Sequence, residues 1–151
     1  MKETPKPNVI VMAEDDADDR LLVKDALEEC KWEADLRFVE NGEELLDYLL
    51  RRGKYGVPAT SPRPGLILLD LNMPRKDGRE VLREIKATSE LRRIPVVVLT
   101  TSKADTDIEG IYELGANSFI SKPVQFEGLV NLMRLLGQYW FSTVALPATR
   151  G

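Results

Sequence analysis

Asn8-Val-Ile-Val-Met-Ala13, running straight into Glu14-Asp15-Asp16, is the stretch on which the fold turns. It has the character of a buried strand that ends in acid. An apolar run of this length, closed by polar residues, marks a parallel strand covered on both faces. The pattern recurs three times. Gly65-Leu-Ile-Leu-Leu69 ends at Asp70, Ile94-Pro-Val-Val-Val-Leu99 ends in the hydroxyls of Thr100 and Thr101, and Ala116-Asn-Ser-Phe-Ile120 ends in Ser121-Lys122-Pro123. Open parallel sheets bind ligands outside the carboxyl ends of their strands. Three carboxylates (Glu14, Asp15 and Asp70), a hydroxyl and an ammonium therefore converge on one point. Such a point suits a divalent cation and a phosphoryl group.

Strand-like and helix-like segments alternate five times. Strands are expected near residues 8–13, 35–39, 66–69, 94–99 and 117–120. Asp35-Leu-Arg-Phe-Val39 alternates polar and apolar residues, which places it nearer an edge. Between the strands, helical spacing runs from Asp16, a candidate N-cap, to Glu29, and from Asn41, a second candidate cap, to Leu50. Further helices are expected from Gly78 or Arg79 to about Ala87, from about Ala104 to Leu114 with Gly115 as the stop, and from about Phe126 to Gln138. The series predicts an α/β fold: a doubly wound (βα)5 unit around a five-stranded parallel sheet.

The chain has 151 residues, one domain's worth. Residues 1–7, polar and Pro-containing, are expected to be a flexible N-terminus, residues 8–138 the main domain and residues 139–151 an apolar tail. Arg51 to Pro64 is a Gly/Pro/Ser-rich insertion carrying Arg51, Arg52, Lys54 and Arg63. It is expected to be a solvated loop, with a partner-docking loop as the alternative. Tyr139-Trp-Phe-Ser-Thr-Val-Ala-Leu-Pro147 is too apolar to lie free, and either folds back on its own domain or covers a subunit interface.

Composition narrows the chemistry. The net charge of −4 argues against a broad nucleic-acid surface. The single cysteine, Cys30, permits no internal disulfide and suits the cytoplasm. No apolar window reaches signal-peptide or membrane-span length, so neither secretion nor a membrane partner is expected. The chain has no histidine. That removes His-based acid–base catalysis, Ser-His triads and the usual zinc sites at once. A phosphohistidine, if one takes part, must come from a partner.

Taken singly, the strand-end residues are ordinary. Glu-Asp-Asp is often a cap and a solvated turn, Thr after a strand is usually a cap, and Lys-Pro is usually a turn. Four strand ends carrying compatible chemistry in this order are another matter. A carboxylate nucleophile needs a phosphoryl donor and charge neutralisation. Glu14, Asp15 and Asp70 supply carboxylates for a cation, Lys122 a charge-assisted donor and Thr100 a neutral one. A cis bond between Lys122 and Pro123 would aim the lysine inward.

At this point the chain resembles the receiver domain of two-component response regulators, over about Asn8 to Gln138. The residues that carry the resemblance are Glu14-Asp15, Leu69-Asp70-Leu-Asn-Met-Pro74 with Gly78, Thr100, Phe119 and Lys122-Pro123. The resemblance implies a flavodoxin- and CheY-like sheet of strand order 2-1-3-4-5. It implies that Asp70 is the phosphoacceptor, loaded by a sensor histidine kinase, with Thr100 and Phe119 as the switch pair. It also implies Mg2+ held by Glu14, Asp15, Asp70 and the backbone carbonyl of Asn72, with Asn72 and Ser102 flanking the attack path.

The insertion, Asn72-Met-Pro74 and the aromatic tail are similar to those of the small regulators paired with phytochromes, in which the tail contributes to a homodimer. That likeness implies a phytochrome-type kinase and a tail that contributes to a homodimer. The run of Tyr139, Trp140, Phe141, Val144 and Leu146 predicts the same association, with the fourth helix and the fifth strand as the expected contact surface. About a dozen residues follow the last helix, too few for a DNA-binding output domain, so a stand-alone switch working through protein contacts is expected. It would be no enzyme beyond phosphotransfer onto itself and slow autodephosphorylation. Two rivals stay open. A haloacid-dehalogenase-type hydrolase also uses Mg2+ and an Asp nucleophile, but wants a second Asp where this chain has Asn72. The other rival is an interaction module with a dead site.

Overall fold

The computed structural model describes residues 8–31, 34–57, 61–71, 73, 76–101 and 105–143. Five strands alternate with five helices: β1 (Asn8–Ala13), α1 (Ala17–Cys30), β2 (Ala34–Val39), α2 (Gly42–Leu50), β3 (Leu66–Leu69), α3 (Gly78–Ala87), β4 (Val96–Thr100), α4 (Asp105–Glu113), β5 (Ser118–Ser121) and α5 (Phe126–Gln138). All strand pairs are parallel, in the order β2-β1-β3-β4-β5. The expected doubly wound sheet is therefore observed, with the alternating strand β2 at an edge.

The two-residue period of a strand sorts its side chains between two cores. Val9, Val11 and Ala13, Ile67 and Leu69, and Val96 and Val98 enter the cluster covered by α2, α3 and α4. Ile10 and Met12, Leu66 and Leu68, and Val97 and Leu99 enter the cluster covered by α1 and α5. Because both faces are covered, no polar position interrupts these three strands, which is why they stand out as unbroken apolar runs.

Helix starts follow the caps. The Asp16 carboxylate accepts from the N–H groups of Asp18 and Asp19 at 2.8 and 3.1 Å. Asn41 Oδ1 accepts from Glu44 N–H at 2.8 Å, while the Glu44 carboxylate reaches back to Glu40 N–H at 2.8 Å. Strand β4 begins two residues later than expected, since Ile94 still closes a turn through its N–H to Leu91 O at 3.0 Å.

The described parts of the insertion are tied to the domain. Tyr48 Oη donates to Pro62 O at 2.7 Å, Ser61 Oγ to Tyr55 O at 2.8 Å and Arg63 Nη1 to Leu49 O at 2.9 Å. After α5 the chain makes one wide π-helical turn, Tyr139–Thr143, which buries Trp140 beside Met133 and Leu136 and lays Phe141 on the same core. For these two aromatics the fold-back alternative holds. Val144 and Leu146 lie outside the described residues, as does the N-terminus 1–7.

Candidate functional site

The sheet delivers its site residues by register. Val39 O receives the N–H of Glu14 at 3.0 Å and Ala13 O that of Asp70 at 3.2 Å, so β1 and β3 set down their carboxylates side by side. Thr100 ends β4, and its carbonyl receives the Lys122 N–H at 2.8 Å, bringing the lysine over the same rim. Glu14, Asp70 and Thr100 are buried to 1%, 6% and 0% exposure. Burial so deep demands partners, and they are present. Thr100 Oγ1 donates to Asp70 Oδ1 at 3.2 Å, and Lys122 Nζ donates to Asp70 Oδ2 at 3.0 Å and to Glu14 Oε1.

Oxygens of Glu14, Asp15 and Asp70 lie within 4.8 Å of one another. The donor set is entirely carboxylate oxygen, two buried and one exposed, which fits a hard divalent cation and no soft one. Asn72 and Ser102 lie outside the described residues. Gly78 opens α3 directly against this rim: its N–H donates to Leu71 O at 3.1 Å, and a Cβ there would sit 2.6 Å from Asp70 O. Only glycine lets α3 start so close to the strand end.

The electrostatics follow from the crowding. Burial pushes the Glu14 carboxyl up from 4.5 to about 7, against the pull of the Lys122 hydrogen bond and charge. Burial also pulls at Lys122 downward, but its bond to Glu14 and the Asp70 and Glu14 charges outweigh it and hold the ammonium above its ordinary range.

The expected cis bond is corrected: the peptide bonds of the described residues, Lys122–Pro123 among them, are trans. The lysine needs no such device. Strand β5 already carries it to the rim, and the carboxylates draw its ammonium inward. Pro123 packs instead toward the start of α5, where a Cβ on Gly128 would meet it at 3.0 Å. Phe119 is half-buried against the α2–α3–α4 core, and its N–H donates to Tyr112 Oη of α4 at 3.1 Å.

Sequence reasoning missed Asp19, whose carboxylate receives Lys122 Nζ at 3.1 Å from the first turn of α1. Its helical spacing from Glu14-Asp15-Asp16 was the available signal, masked by the acidic residues around it. Arg20 was also missed. Its Nη1 donates to Glu14 O at 2.8 Å and pins the end of β1.

The family model for the response regulator receiver domain matches residues 10–134. The response regulator Rcp1 of Synechocystis sp. is 42% identical over 146 residues, covering 97% of each chain. Among solved structures, the phosphorylated cyanobacterial phytochrome response regulator RcpA superposes with a TM-score of 0.87 at 40% identity, over 95% of this chain and 100% of that one. The Mn2+-bound form of Rcp1 gives 0.84 at 42% identity, over 94% and 100%. The response regulator RPA3017, in red light signaling of R. palustris, gives 0.89 at 36% identity, over 93% and 99%. This chain belongs to the response regulator receiver domain family, and with it to the phosphorelay switches of two-component signalling.

Proposed function

We propose that Asp70 is the phosphoacceptor of this switch and that a sensor histidine kinase, of the phytochrome type, is the donor. The observation that carries this reading is the Asp70 carboxylate itself: nearly buried, with one oxygen on a hydroxyl and the other on an ammonium. Asp70 attacks the phosphorus of the partner's phosphohistidine, the P–N bond breaks, and the imidazole leaves as the neutral ring by taking a proton from solvent. Glu14, Asp15, Asp70 and, as the family resemblance implies, the carbonyl of Asn72 would hold Mg2+, which would neutralise the clustered carboxylates and the incoming phosphoryl charge. Lys122 then pairs with a phosphoryl oxygen. Thr100 turns its hydroxyl from Asp70 to the phosphoryl group, and Phe119 moves into the space so freed, changing the surface of α4 and β5. Water attack on the phosphoryl group returns the switch slowly to rest.

The narrower partner rests on likeness to RcpA, described as a phytochrome response regulator, over 95% of this chain. A homodimer through α4, β5 and the tail accompanies it, supported by the half-exposed Tyr112 and Tyr139. The test is phosphotransfer from a panel of phosphorylated histidine kinases of the same genome. A phytochrome-type kinase should load the wild type fastest and leave Asp70→Asn unlabelled. Equal labelling of Asp70→Asn would overturn the assignment. Sedimentation of the same samples reads the dimer, and monomers at high micromolar concentration in both states would overturn it.

A further inference from the structure

Lys122 grips three carboxylates, and only two of them belong to the metal-binding cluster. Its Nζ donates to Glu14 Oε1, to Asp70 Oδ2 at 3.0 Å and to Asp19 Oδ2 at 3.1 Å. An ammonium has three N–H donors and no acceptor, so one proton falls to each carboxylate. Glu14 and Asp70 share the cation-sized cluster with Asp15; Asp19 stands outside it, in the first turn of α1 with its side chain 41% exposed. A cation and the lysine therefore compete for the same oxygens. A cation that takes them strips two partners from an ammonium only 12% exposed. An unpaired charge so placed is costly. Asp19 is the carboxylate within reach that the cation does not need.

We propose that Asp19 is a positioning residue that takes over the Lys122 ammonium when a divalent cation engages Glu14 and Asp70. The inference rests on the reading of the rim as a metal-dependent phosphoacceptor site. Asp19 acts through Lys122 and contacts neither cation nor phosphate. Its place is set by the helix cap, since its N–H donates to Asp16 Oδ1 at 3.1 Å. The carboxylate can thus be altered while the turn that carries it stays.

Mn2+ is the probe, its free concentration followed by electron paramagnetic resonance during titration of the full chain. Asp19→Asn should weaken Mn2+ binding about fivefold while Lys122 is present. In a Lys122→Ala background the same substitution should change nothing, because no ammonium remains to be received. Asp19→Glu should restore most of the affinity. A loss of equal size in both backgrounds would show a general charge effect and overturn the inference, as would equal affinities of wild type and Asp19→Asn. A wild type that binds no Mn2+ at millimolar concentration would overturn the reading of the rim itself, a result separable from the other two.

Discussion

From Leu66 to Leu69 the third strand carries only apolar side chains, all shut off from solvent; one residue on, Asp70 is almost as deeply buried and carries a carboxylate. The same step is made from Ala13 to Glu14 and from Leu99 to Thr100. In the strand bodies, burial is favourable by about 1.5–3 kcal/mol for each large apolar side chain. At the rim, burial works against the fold, because carboxylates lose water and are answered by one shared ammonium. The two regions lie a single peptide apart, so the strands can hold the rim in a geometry it would not keep alone. A stable body underwriting a strained rim is how a receiver keeps its acids ready for a cation and a phosphoryl group.

The sharpest way to break this contrast is to damage each region and ask whether a cation repairs it. Leu68 lies in the α1–α5 core at 1% exposure. Leu68→Ala should cost about 2–5 kcal/mol in denaturant unfolding, and millimolar Mg2+ should restore no more than it adds to wild type. Lys122→Ala should cost less, about 2 kcal/mol, since the lysine is not wholly sequestered. Here Mg2+ should recover most of the loss by replacing the missing positive charge. Equal Mg2+ responses in the two variants would erase the distinction between strand and rim.

The strand bodies were legible for the reason that makes them stable. Val9 to Ala13, Leu66 to Leu69 and Val96 to Leu99 are apolar on both faces, and Asp16 and Asn41 cap helices by short-range bonds visible in a few residues of sequence. Most of the rim was legible too, because strand ends in a parallel sheet share one edge. What escaped depends on distance between elements. Asp19 meets Lys122 across 103 residues, and its helical spacing from Glu14 is hidden among the acidic residues around it. The packing of Trp140 is likewise decided by what surrounds it. Tyr112 capping the Phe119 N–H belongs to the same class.

A smaller effect sharpens the comparison through pH. Burial holds Glu14 protonated up to about pH 7, whereas its ordinary value is 4.5. Between those values the folded protein binds the extra proton, so stability falls as pH rises. The contribution is complete below about pH 4.5 and lost once pH passes 7. Melting temperatures of metal-free wild type should therefore drop across that window relative to Glu14→Gln. Parallel curves would place the titrating group elsewhere.

The most direct measurement is the intact mass of the protein after incubation with acetyl phosphate, with Mg2+ and without it. Wild type should gain one phosphate, only when Mg2+ is present, in a bond that survives mild acid and is broken by base. Asp70→Asn should gain none. Phosphate retained by Asp70→Asn at the wild-type rate, or wild-type loading that ignores Mg2+, would contradict the assignment of Asp70 and its acidic rim.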